Sequence, residues 1–138
     1  MSGWDFTPRF EGRGLSFAPV DLNTNLWVYE KNFAHFAALL GLKGEPDWEA
    51  RAHERKRAID AHLWNPQRGL YLDHDFVLGR PGRVACAVTF WPLWAGLASP
   101  EQARAVAEHL SLFEQAHGFG ACEPTPADLR TPRSMQWD

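Results

Sequence analysis

Of the 17 acidic side chains in this 138-residue chain, Asp5 stands in the setting best suited to holding a proton. It lies between the bulky apolar residues Trp4 and Phe6 and close behind Gly3, where the missing Cβ lets the backbone approach a ligand. Partial desolvation raises a carboxyl pKa and keeps the group protonated near neutrality, the state a general acid needs. From local residues alone a turn aspartate in Gly-Trp-Asp is more often structural than catalytic, so the rest of the chain must decide. Asp73-His74-Asp75 has the spacing of a metal-binding carboxylate pair, but no further ligand follows at a useful interval, and no metal is expected. His35, His53, His62, His109 and His117 fall singly on helical patterns, where solvated or capping roles are the default. Neither a Ser-His-Asp nor a Cys-His arrangement is supported by context.

The elements that would position these groups are helical. Leu22, Leu26, Tyr29, Phe33, Phe36 and Leu40 recur at three- and four-residue steps, which predicts an amphipathic helix with Asp21 as its N-cap and Gly41 just past its end. A second helix is predicted from Pro46-Asp47, with Trp48, Ala52, Ile59 and Leu63 on one face, ending at Asn65-Pro66. Gln67-Arg68-Gly69 reads as a turn and the residues after it as a short strand. Ala85 to Leu97 is apolar all round and is expected to be a helix buried on every side, with Pro92 tolerated in a first turn. Ser99-Pro100-Glu101-Gln102 is a capping-box pattern; it opens a helix with Ala103, Val106, Ala107, Leu110 and Phe113 inside and Gly118 at its end. Three prolines after Gly118 predict a long loop. The class is all-α, and the apolar segment at 85–97 calls for neighbours beyond these four helices.

Composition excludes several classes. The chain is long enough for one domain, and 45% hydrophobic with 22% charged residues fits a globular chain. Its 14 basic residues are scattered, so neither nucleic acid nor an anionic membrane is an expected partner. No segment reads as a secretory signal or a spanning helix. Cys86 and Cys122, 36 positions apart without a CxxC pair, support neither a disulfide framework nor a zinc site. Seven Trp and nine Phe are many for so short a chain; most are expected to fill core space, while some of the rings could stack on sugar faces.

Five motifs in one order carry a resemblance. Ser2-Gly3-Trp4-Asp5-Phe6-Thr7-Pro8-Arg9-Phe10, Pro19-Val20-Asp21-Leu22-Asn23, Leu63-Trp64-Asn65 with Gly69-Leu70-Tyr71-Leu72-Asp73-His74-Asp75, Phe90-Trp91-Pro92-Leu93-Trp94-Ala95 and Gln136-Trp137-Asp138 resemble successive motifs of the trehalases, glycoside hydrolase family 37. The resemblance implies part of a single (α/α)6 toroid spanning residues 1–138 and inverting hydrolysis of trehalose to glucose without a cofactor. It makes Asp5 the general acid and Gly3, Trp4, Arg9, Gln136 and Trp137 sugar-binding residues. The family's general base is a glutamate beyond the Gln-Trp-Asp motif, so the chain is expected to be a fragment, inactive by itself, with exposed apolar surface around Phe90 to Leu97 that favours self-association. Thr7-Pro8 and Phe10 stand where the family has Ser-Ser and Trp, a drift toward related (α/α)6 α-glucosidases, which are the alternative. A non-catalytic helical scaffold is the reading from another class. A cytoplasmic location is favoured over a periplasmic one.

Overall fold

The computed structural model describes residues 7–43, 46–124, 126 and 129. Its largest element is an antiparallel helical hairpin of α1 (Val20–Leu40) and α2 (Trp48–His62). Both helices end on signals written in the sequence. Gly41 adopts φ 62°, and the N–H groups of Gly41 and Leu42 close back on Ala38 and Ala37, a Schellman arrangement that needs a left-handed residue at this point. Asp47 caps α2 by accepting from Ala50 N at 2.9 Å.

The start of α1 differs from expectation. Its N-cap is Pro19, which has no side-chain acceptor, and Asp21 lies inside the first turn. The missing cap comes from Asp73, 53 residues away, whose carboxylate accepts from Val20 N at 2.8 Å.

The facing of α1 is also the reverse of the periodicity's prediction. Leu22, Tyr29, Phe33, Phe36 and Leu40 are exposed, whereas Thr24 and Glu30 are buried. The buried side is polar because it is held electrostatically: the Arg55 guanidinium of α2 grips the Glu30 carboxylate at 2.7 and 2.8 Å. Of the apolar stripe of α1, Phe33 meets Trp48 at the start of α2, with ring centroids 4.9 Å apart, and Leu22, Tyr29, Phe36 and Leu40 stay exposed.

Short antiparallel strands link the helices. β1 (Phe17–Ala18), β4 (His74–Asp75) and β5 (Arg80–Pro81) form a three-stranded sheet in the order β1-β4-β5, and β2 (Trp64–Asn65) pairs with β3 (Leu70–Tyr71) through the predicted turn. Helix α2 thus stops at His62, before Asn65-Pro66, because the chain turns into a hairpin there. The core sits where α1 and α2 meet these strands and the segments beyond, around Val20, Ile59, Leu70, Leu72, Val88 and Val106.

The predicted helix at 85–97 is absent. A tight helical turn at Ala87–Phe90 leads into the four-residue α3 (Trp91–Trp94), with Pro92 in its first turn. Nor is the segment buried on every side: Leu97 is buried, while Trp91 is exposed and Trp94 more so. Helix α4 (Pro100–Glu108) opens with the predicted reciprocal capping box of Ser99 and Gln102. It ends ten residues before Gly118, giving way to a tight turn at Leu110–Phe113 and the hairpin of β6 (Glu114–Gln115) and β7 (Gly118–Phe119), so Ala107 and Leu110 are exposed rather than inside.

The two cysteines also depart from expectation, being joined as a disulfide. Cys86 and Cys122 face each other as an antiparallel pair whose flanking residues exchange backbone hydrogen bonds, Ala87 N to Ala121 O and Glu123 N to Ala85 O. In such a non-hydrogen-bonded pair the side chains lie close. Two cysteines so far apart in sequence carry no spacing signal; the backbone ladder brings them together.

Candidate functional site

Of the six residues assigned a functional role from the sequence, Arg9 is the one the structure describes; Gly3, Trp4, Asp5, Gln136 and Trp137 lie outside the described residues. The site is therefore built from the segment that follows Asp5. Residues 8–13 make two successive turns, closed by Glu11 N to Pro8 O at 3.0 Å and Arg13 N to Phe10 O at 2.8 Å. Glu11 at φ 51° and Gly12 at φ 73° supply the left-handed backbone that reverses the chain. This coil buries Pro8 and lays the Phe10 ring against Phe17, and its polar side chains are held by charge.

Arg9 is the centre of that arrangement. Its side chain has no exposed surface. One edge of the guanidinium, Nε and Nη2, donates to the two oxygens of Asp73 at 2.6 and 2.8 Å; the other, Nη1 and Nη2, donates to the two oxygens of Asp21 at 3.0 and 2.7 Å. A planar fork is the geometry that can engage two carboxylates in this way, and an ammonium is not. Burial disfavours the Arg9 charge, but hydrogen bonds and attraction from Asp73 and Asp21 outweigh it and push its pKa above the ordinary arginine value. Among the described residues two carboxylates face this guanidinium, and they lie at the N-terminus of α1, where the helix dipole is favourable to an anion. The guanidinium expected to reach a sugar is thus seated inside the protein on two carboxylates.

Two further ion pairs fasten the same coil. Glu11 accepts from Arg80 Nη1 and Nη2 at 3.2 and 2.7 Å and from Arg83 N at 3.3 Å. Arg13 pairs with Asp75, which also accepts from Val77 N and Leu78 N across the turn between β4 and β5. The Asp73 and Asp75 carboxylates, a possible metal pair by spacing, are engaged by arginines and backbone N–H groups. The sequence signal that could have revealed this is an alternation: Arg9, Glu11 and Arg13 at every second position, matched by Asp73 and Asp75 two apart and by Arg80.

Two of these carboxyl groups have depressed pKa values. The Arg80 hydrogen bond, aided by Arg83 N, holds Glu11 below its ordinary 4.5 against the opposing effect of burial. Burial pushes Asp75 up, but hydrogen bonds from Leu78 N, Arg13 and Val77 N prevail and hold it below 3.8. A group with a lower pKa folded than unfolded binds fewer protons when folded, so its contribution is complete above the unfolded value and is lost as pH falls through the folded one. Stability measured by thermal unfolding should therefore fall on acidification below about pH 4.5, and Glu11→Gln should flatten that slope. An unchanged slope in the variant would remove Glu11 from the account.

His74 adds an unexplained polar atom. Its Nδ1 is buried with no hydrogen-bond partner among the described residues, and its ring lies 5.4 Å from that of His62 beside a cleft of about 370 Å³. Among the described residues no group of three or more His, Cys, Asp or Glu could hold a metal ion, and no helix is long and apolar enough to cross a membrane.

Comparison with known proteins gives this geometry a context. The family model described as Trehalase matches residues 1–138. The cytosolic neutral trehalase of Kluyveromyces lactis is 35% identical over 150 residues, covering 99% of this chain and 20% of that protein. The periplasmic trehalase of Xanthomonas campestris is 40% identical over 114 residues, covering 77% and 20%. The solved structure of the neutral trehalase Nth1 from Saccharomyces cerevisiae superposes with a TM-score of 0.77 at 30% identity, over 88% of this chain and 25% of that one. The chain thus spans about a fifth of the length of the curated relatives it matches. Its helical hairpin, with the ionic cradle at the head of α1, is a portion of an (α/α)6 toroid, and the chain belongs to the trehalase family.

Proposed function

We propose that this chain supplies the general-acid segment of an enzyme that hydrolyses α,α-trehalose to glucose with inversion. The observation that supports it most is the match of the trehalase family model to residues 1–138, Asp5 and its motif included; four residues beyond Asp5 the chain is held by a buried guanidinium. Asp5 protonates the departing glucosyl oxygen, while a carboxylate outside these 138 residues activates the attacking water on the opposite face of the sugar. Gly3, Trp4, Gln136 and Trp137 serve as sugar contacts beside it. No cofactor enters the reaction.

The remainder of a toroid packs on the exposed stripe of α1 formed by Leu22, Tyr29, Phe33, Phe36 and Leu40, with the exposed rings of Trp91 and Trp94 as a second contact. In residues 1–138 alone this surface favours self-association. The disulfide supports an oxidising compartment over the cytoplasm favoured by sequence, while the relatives carry both cytosolic and periplasmic names.

The test replaces the aligned stretch of the Kluyveromyces lactis enzyme with residues 1–138. The chimera should release one α- and one β-glucose from each trehalose, since inversion changes only the attacked anomeric centre. Residues 1–138 by themselves should release none and should bind a hydrophobic dye. A well-folded chimera that leaves trehalose intact but cleaves another α-glucoside would move the assignment to a sibling glycosidase. One that cleaves neither would leave the segment as scaffold.

A further inference from the structure

We propose that Arg9 is a positioning residue for Asp5, acting on the rate of the chemical step and not on sugar affinity. The inference rests on the reading of Asp5 as the acid and adds the device that aims it. The two are four positions apart, and an extended chain of that length reaches at most about 14 Å. Whatever fixes Arg9 therefore bounds where Asp5 can be.

Arg9 is fixed from two directions. Asp73 enters from the end of the β2-β3 hairpin and Asp21 from the first turn of α1. Asp73 also accepts from Val20 N, so a single carboxylate sets both the origin of α1 and the seat of Arg9. Any shift of the guanidinium relative to α1 must break a bidentate contact on one side. Glu11 and Arg13, tied to Arg80 and Asp75, hold the coil beyond it. The tether to Asp5 thus leaves from an anchor with no exposed side-chain surface and a bond to each neighbouring element.

Arg9→Lys in the chimera is the test, because it keeps the charge and loses the fork. A displacement of about an ångström costs up to about a hundredfold in rate, so kcat for trehalose should fall about ten- to a hundredfold with KM changed less than about twofold. α-Glucosyl fluoride, whose leaving group needs no proton, should be turned over within about threefold of the parent rate if only proton donation is disturbed. The alkaline limb of the pH profile of kcat, which reports the acid, should move as well. Asp21→Asn, which keeps the contact to Asp73, should give the same split at smaller amplitude, and it decides the matter if Arg9→Lys does not fold. Lys31→Ala, in an exposed pair with Glu49, should leave both substrates unaffected.

A rise in KM at unchanged kcat would make Arg9 a sugar ligand and overturn the proposal. Parallel losses on both substrates in folded protein would reduce Arg9 to a structural role, and unchanged rates in both variants would also overturn it. Failure of the underlying reading is separately visible, since Asp5→Asn would then retain trehalose hydrolysis whatever the Arg9 variants do.

Discussion

Asp5→Asn, in a chimera that completes the toroid, should lower kcat for trehalose by about a hundred- to ten-thousandfold while leaving KM close to the parent value. The amide keeps the shape and polarity of the carboxyl group, so sugar contacts persist. What it lacks is a proton acidic enough to pass to the glycosidic oxygen as that bond breaks, and a sugar alkoxide is a poor leaving group without one. The effect should nearly vanish with α-glucosyl fluoride, because fluoride departs unprotonated. Steady-state kinetics on the two substrates gives the answer directly: undiminished trehalose hydrolysis removes Asp5 from the acid role, and equal losses on both substrates point to a damaged fold.

The second large effect is on stability. Asp73→Ala removes both acceptors from one edge of Arg9 and the cap from the head of α1, all in a place with almost no solvent to compensate. Breaking a buried charge pair by deleting one partner costs about 3–5 kcal/mol, and the lower end applies because Asp21 still faces the guanidinium. For a domain of this size that corresponds to a fall of roughly 10 °C in Tm. An exposed pair such as Lys31 with Glu49 contributes about 1 kcal/mol at most, so Lys31→Ala serves as the comparison in the same thermal melt. Equal shifts for the two variants would mean that the cradle is a surface feature in energetic terms.

The contrast between these residues shows what the sequence could and could not convey. Capping is local chemistry, so the box of Ser99 with Gln102 is legible three residues at a time and forms as read, while Asp47, read only as the start of α2, also caps it. The period of α1 was legible too, but not its facing. The rule that an apolar stripe turns inward presumes that the helix is covered within the chain being read, and α1 instead pairs its polar side with Arg55. Ala85 to Leu97 failed for a related reason: uniform apolarity carries no period, so it could not distinguish a buried helix from a tight turn followed by one helical turn. The opening motif points to Arg9, but its partners lie 12 and 64 positions away, and no short window along the chain contains all three. The disulfide was hidden in the same way, because what joins Cys86 to Cys122 is the register of two backbones.

The two outer sides of the α1-α2 hairpin are unlike. On α2 the outward residues Arg51, Glu54 and Arg57 are charged and exposed, while α1 presents Leu22, Tyr29, Phe33 and Phe36. The hairpin is therefore adhesive on one side only, and this limits how copies can meet. A surface that can match only itself closes about a two-fold axis and leaves nothing sticky at either end, whereas a fibre needs two different complementary faces on each unit. Separated from covering helices, copies of the hairpin that meet through this stripe should stop at a pair, which sedimentation of residues 1–138 would show.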